Sequence, residues 1–100
     1  MHPRYILGIG NAHVTQYESI ALNQFHGKAI DKTGPSSYAL SIPRTGIPIS
    51  TKGTKSFCNW TMYKLAQFIE QEGLDAELFF LHTARSDKSR IRDEIRKFST

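Results

Sequence analysis

The segment Glu77-Leu78-Phe79-Phe80-Leu81-His82 constrains the fold most. An unbroken apolar run between turn signals suits a strand buried on both faces, as in a parallel sheet, better than one with a wet face. Tyr5-Ile6-Leu7-Gly8-Ile9-Gly10 reads as a second buried strand that ends in a tight glycine loop. Between the two lies an amphipathic helix. From Cys58 to Gln71 the apolar positions Cys58, Met62, Leu65, Ala66 and Ile69 share one face, and Gly73 is a natural stop. These elements predict an α/β domain of three layers, α/β/α, around a small mixed and mainly parallel sheet.

The remaining segments are weaker. Ser19–Asn23 reads as a short strand, and the stretch from Gly27 to Pro48 as loop with one helical turn around Ser36-Ser37-Tyr38. Ile47-Pro48-Ile49-Ser50 is a strand that Pro48 confines to a sheet edge or a strand start. Ile91, Ile95 and Phe98 mark a last amphipathic helix, capped by Ser86. A chain of 100 residues holds one hydrophobic core, so a single domain spans 1–100. Its modest core makes a homo-oligomer a reasonable expectation.

Several classes are set aside by composition. No apolar run is long enough to cross a bilayer, and Met1-His2-Pro3-Arg4 has no signal-peptide pattern, which predicts a cytoplasmic protein without a membrane partner. One cysteine forms no internal disulfide and is a poor basis for a structural zinc site, and His13 and His26 lack metal-ligand spacing, so no metal is expected. The net charge of +4 owes much to the cluster Arg85, Lys88, Arg90, Arg92, Arg96 and Lys97. Asp87, Asp93 and Glu94 interrupt that cluster, which reads as a solvated helix face more readily than as a nucleic-acid surface.

Cys58 and His82 stand out together. The order strand, helix, strand from Ile47 to His82 predicts a βαβ unit with parallel strands, which would bring the helix start and His82 to the same sheet edge. A helix N-terminus favours thiolate over thiol, and a neighbouring imidazole favours it further. Such a pair attacks carbonyl carbons, the imidazole taking the thiol proton and returning it to the leaving amine. A small buried core residue is the other role open to a lone cysteine.

Three stretches carry a family resemblance. Phe57-Cys58-Asn59 with Tyr63 resembles the nucleophile motif of pyroglutamyl peptidase I, the pyrrolidone-carboxylate peptidase family of cysteine peptidases. Phe79-Phe80-Leu81-His82 resembles its histidine strand, twenty-four positions after the cysteine, and Glu18-Ser19-Ile20-Ala21-Leu22-Asn23 its glutamate motif. Gly34-Pro35-Ser36-Ser37-Tyr38 and Gly8-Ile9-Gly10 are similar to a family turn and a strand-end Gly-x-Gly. The resemblance implies a shortened relative lacking the family's N-terminal strand and pocket loop. It implies Cys58 as nucleophile, His82 as general base and acid, Glu18 as the group orienting the imidazole, and Lys28 and Asn59 as substrate-facing residues. It further implies removal of N-terminal pyroglutamyl residues from peptides, with no cofactor. The alternatives are an inactive remnant used for binding or assembly and, secondly, a small basic nucleic-acid-binding protein.

Overall fold

Leu78 and Phe80 pack to one side of the strand Ala76–Thr83, and Phe79 and Leu81 to the other. All four are buried, as an apolar run covered from both sides must be. This strand, β6, is central in a four-stranded sheet whose order is β1 (Arg4–Asn11), β6, β2 (Gln16–Glu18) and β5 (Ile49–Ser50), in a computed structural model that describes residues 4–53 and 57–98. The Met1-His2-Pro3 start lies outside the described residues.

β1 (Arg4–Asn11) runs parallel to β6 along its whole length, from Arg4 opposite Ala76 to Asn11 opposite Thr83. β2 (Gln16–Glu18) is antiparallel to β6, and β5 (Ile49–Ser50) pairs parallel with β2 at the sheet margin. Pro48 precedes β5, at the strand start and edge where its missing N–H is harmless. β3 (Ile20–Leu22) and β4 (Ser37–Ala39) form a separate antiparallel pair.

Helix α1 (Phe57–Gln71) covers one face of the sheet, with Met62 and Tyr63 buried against Ala21, Leu40, Leu78 and Phe80. It ends where Gly73 adopts φ +62°, with Leu74 N–H bonded to Ile69 O and Gly73 N–H to Glu70 O. That is the glycine-closed helix end which turns the chain back into β6. On the opposite face Tyr17, Ile47, Phe79 and Leu81 form a second core with Leu7 and Phe98. A 3-10 turn (Arg85–Asp87) and α2 (Lys88–Lys97) lead to Phe98. The three-layer α/β arrangement with a mixed, mainly parallel sheet is therefore as expected.

Three local expectations are corrected. β5 is parallel to β2, and β2 antiparallel to β6, so β5 and β6 run in opposite directions and Ile47–His82 is not a parallel βαβ unit. The parallel neighbour of β6 is β1. The segment around Ser36–Tyr38 is strand, because Leu22, Ala21 and Ile20 offer it a backbone ladder. The strand expected at Ser19–Asn23 is present as β3, paired with β4, and Ser19 separates it from β2, a strand of the main sheet that the sequence pattern does not mark. Ser86 falls inside the 3-10 turn, and the helix is preceded by Asp87 without a side-chain cap.

Candidate functional site

Side chains alternate along a strand, so Ile6, Gly8 and Gly10 of β1 and Leu78, Phe80 and His82 of β6 face α1. Glu18 lies on this same face, since it stands opposite Phe80 in the β2–β6 ladder. His82 Nδ1 and Glu18 Oε2 are 2.9 Å apart, with the residues only 6% and 2% exposed. In the tautomer that carries its proton on Nδ1, the imidazole donates to the carboxylate and leaves Nε2 open. Gln16 Nε2 donates to the same carboxylate oxygen at 3.1 Å. Glu18 Oε1 is buried and has no hydrogen-bond partner among the described residues.

Cys58 reaches the pair from the first turn of α1. Gly10 makes room for it. A Cβ placed on Gly10 would sit 2.9 Å from Cys58 Sγ, 3.1 Å from Phe80 Cζ and 3.4 Å from His82 Cδ2. Sulfur and imidazole thus border the same space over the bare backbone of Gly10, and Cδ2, the ring carbon bonded to Nε2, is the imidazole atom nearest to it. No hydrogen bond joins Sγ to His82 among the described residues, a looseness common before substrate binds. Gly8 serves the same purpose one step along β1, where an added Cβ would lie 2.8 Å from Met62 Cε. The sequence pattern predicts that β1 ends in a tight loop at Gly8-Ile9-Gly10. The strand continues to Asn11, and the glycines instead admit α1.

Cys58 reaches this position although β5 and β6 are antiparallel. α1 descends from Cys58 beside Gly10, through Met62 beside Gly8, to the Gly73 turn, and β6 climbs back to His82. The helix and the strand that follows it deliver the two residues to one place.

Asn59 has a different position from its neighbour. It is buried, its side-chain oxygen accepts from Leu22 N–H at 2.7 Å, and its amide donates to Leu22 O and Gln24 O. These bonds clamp the start of α1 to the end of β3. Lys28 is exposed on the turn where Phe25 and Lys28 bridge, and no described contact links it to Glu18, His82 or Cys58. Tyr63 resembled part of the nucleophile motif; it is fully buried and its hydroxyl donates to Pro35 O at 2.7 Å, tying α1 to the Gly34-Pro35 turn. A groove of about 320 Å³ opens beside Cys58 between β1 and α1, lined largely by Ile6, Gly8, Phe57, Met62 and Phe80. Among the described residues no group of three His, Cys, Asp or Glu side chains is placed to hold a metal ion, and no helix is long and apolar enough to cross a membrane.

No protein-family model and no curated protein matches the sequence. Solved structures do match it. The fold is that of the pyroglutamyl peptidases. The chain is similar to pyrrolidone carboxyl peptidase from Thermococcus litoralis, with a TM-score of 0.68 and 23% identity over 80% of this chain and 48% of that one. Pyroglutamyl peptidase I of Bacillus amyloliquefaciens gives 0.65 and 22%, over 80% and 52% of the two chains. The structure of Pf-PCP(1-204)-C gives 0.66 and 21%, over 95% and 55%. The chain therefore spans about half the length of the solved structures it matches. The pyroglutamyl-peptidase fold is the one that the motif resemblance implied.

Proposed function

We propose that the protein is a thiol peptidase of the pyroglutamyl-peptidase kind, acting through Cys58, His82 and Glu18. The observation that carries this reading is the buried Glu18–His82 contact of 2.9 Å, set beside a thiol that only a glycine at position 10 allows to approach. In the mechanism proposed, His82 Nε2 takes the proton of Cys58, and Sγ attacks the carbonyl carbon of the bond to be cut. The tetrahedral oxyanion is stabilised by backbone N–H groups at the start of α1. As the C–N bond breaks, His82 returns the proton to the departing amine. A water, deprotonated by His82, then hydrolyses the thioester and frees Cys58. Glu18 is a positioning residue: accepting from Nδ1–H, it holds the productive tautomer and stabilises the imidazolium.

The substrate proposed is a peptide with an N-terminal pyroglutamyl residue, which fits the names of the structures with the same fold. Hydrolysis of a fluorogenic pyroglutamyl amide by the purified protein tests it. The wild type should release the fluorophore, and Cys58→Ala should lower the rate at least about 10³-fold, as expected when a covalent nucleophile is removed. Absence of release, or release indifferent to Cys58→Ala, sinks the proposal. A second reading, a non-enzymatic binding or assembly module, is favoured by the lack of a hydrogen bond between Cys58 Sγ and His82 among the described residues. Alkylation of Cys58 by iodoacetamide only as slowly as a free thiol, without any amide hydrolysis, would favour it.

A further inference from the structure

Glu18 Oε2 sits between two side chains, with His82 Nδ1 at 2.9 Å and Gln16 Nε2 at 3.1 Å. The strand ladder places all three. Gln16 stands opposite His82, and Glu18 opposite Phe80, in the antiparallel β2–β6 pair, so both side chains of β2 share the α1 face with the imidazole. Tyr17, between them, belongs to the core on the other face. β2 pairs with β6 on one side and β5 on the other, which fixes the backbone under Gln16 and Glu18 before any substrate arrives. The direction of the half-buried Gln16 amide follows from charge: turned around, its carbonyl oxygen would face a carboxylate oxygen. A glutamate carboxylate swings about its last side-chain bond, and its two oxygens are chemically alike, so burial alone does not choose which one meets the imidazole. Oε1 has no partner among the described residues and gives no hold on the group. The second donor on Oε2 does.

We propose that Gln16 is a further positioning residue of this site: its amide pins Glu18 Oε2 against His82 Nδ1, and so keeps Nε2 of the ring free for the proton of Cys58. The role rests on the reading of Cys58, His82 and Glu18 as a working triad. A carboxylate held by the imidazole alone can turn about that one bond, whereas a second donor from the neighbouring strand position restricts it. The amide is also neutral and does not titrate where an imidazole does, so its hold on Oε2 is the same before and after His82 takes the proton. No proton passes through Gln16. The proton moves from Sγ to Nε2 and on to the departing amine, while Nδ1–H stays hydrogen-bonded to Oε2. The glutamate motif starts at Glu18 and does not mark Gln16, whose part emerges only when β2 is laid against β6.

Ring nitrogen chemical shifts of His82, assigned by comparison with His82→Gln, read the tautomer on the intact chain without any need for catalysis. At a pH where the ring is neutral, the wild type should carry its proton chiefly on Nδ1. Gln16→Met keeps the length of the side chain and removes the donor, and Gln16→Leu removes it with a different shape. Each should raise the share of the Nε2–H tautomer at least about threefold. Gln16 is outside both buried clusters, so both variants should unfold in urea near the wild-type midpoint. With the fluorogenic pyroglutamyl amide, both should lower kcat about tenfold and leave KM nearly unchanged, because the contact acts on proton transfer and not on substrate binding. A wild type that releases no fluorophore overturns the triad reading and the kinetic role with it. An active wild type in which the tautomer or kcat is indifferent to both substitutions, or in which only KM responds, overturns the role of Gln16 alone.

Discussion

Glu18 and Glu94 are two buried carboxylates on opposite faces of the same sheet, 2% and 5% exposed, and they are treated in opposite ways. Glu94 Oε2 accepts from the Tyr17 hydroxyl at 2.6 Å, and its Oε1 accepts from Thr45 Oγ1 at 2.9 Å and from Lys97 Nζ at 2.7 Å. Burial raises its pKa, but the hydrogen bonds from Lys97, Tyr17 and Thr45 outweigh it and hold the carboxyl below its ordinary value. The Tyr17 phenol is in turn held well above its usual range, by burial first and then by Glu94. Glu18, one residue along β2 from Tyr17, bonds among the described residues through Oε2 and leaves Oε1 without a partner there. An unpaired buried polar atom costs roughly 1–3 kcal/mol. The completed network ties α2 and the Thr45 loop to the sheet. The incomplete one directs a single oxygen at an imidazole, the contact on which the proposed positioning role of Glu18 rests.

If that contrast is right, the two glutamates fail differently. Glu18→Gln should lower kcat for the pyroglutamyl amide by about 10²–10⁴-fold with KM little changed, because an amide no longer enforces the productive His82 tautomer. A matched shift in the pH–rate profile, with little change in melting, would separate positioning from a structural role. Glu94→Ala should do the reverse. Urea unfolding should show a loss of about 2–4 kcal/mol, from leaving Tyr17 and Thr45 unpaired, while alkylation of Cys58 keeps its rate. Equal effects of the two substitutions on stability would erase the distinction.

The smallest expected effect is on acid stability. Because the folded pKa of Glu94 lies below its ordinary value of 4.5, its contribution to stability is fully present above that value. It declines as the pH falls below 4.5 and through the folded pKa. Melting temperatures of wild type and Glu94→Gln, compared over this acid range, should converge as the pH is lowered. Curves that stay parallel would show that the carboxylate form contributes nothing.

The same division marks what could be read in the sequence. α1 and β6 were legible because each buries enough side chains to print its own period, and Gly73 announced the turn between them. The motif resemblance picked out Glu18, Cys58 and His82, which the fold gathers at one end of the sheet. The direction of β5 was not legible, since a strand of two residues takes its direction from its partner β2 rather than from any pattern of its own. Ser36–Tyr38 misled for a similar reason: its partner, β3, lies far back in the chain. Gly10 was seen as turn chemistry because sequence records that a side chain is missing, not what occupies its place. Glu94, the anchor of the second face, was counted among the charges of a solvated helix and is instead its one buried member.

The glycine turn after α1 also makes the hairpin a ruler. From Cys58 to Gln71 a helix advances about 20 Å at 1.5 Å per residue, and from Ala76 to His82 a strand returns about 20 Å at 3.3 Å per residue. Both tips finish level because these two lengths cancel, whatever direction the chain took to reach the helix. The measure is unforgiving along the helix, where one inserted residue would swing Cys58 by about 100° around the axis and away from Gly10. The pairing of thiol and imidazole is thus written as a distance along the chain before it is written as a contact.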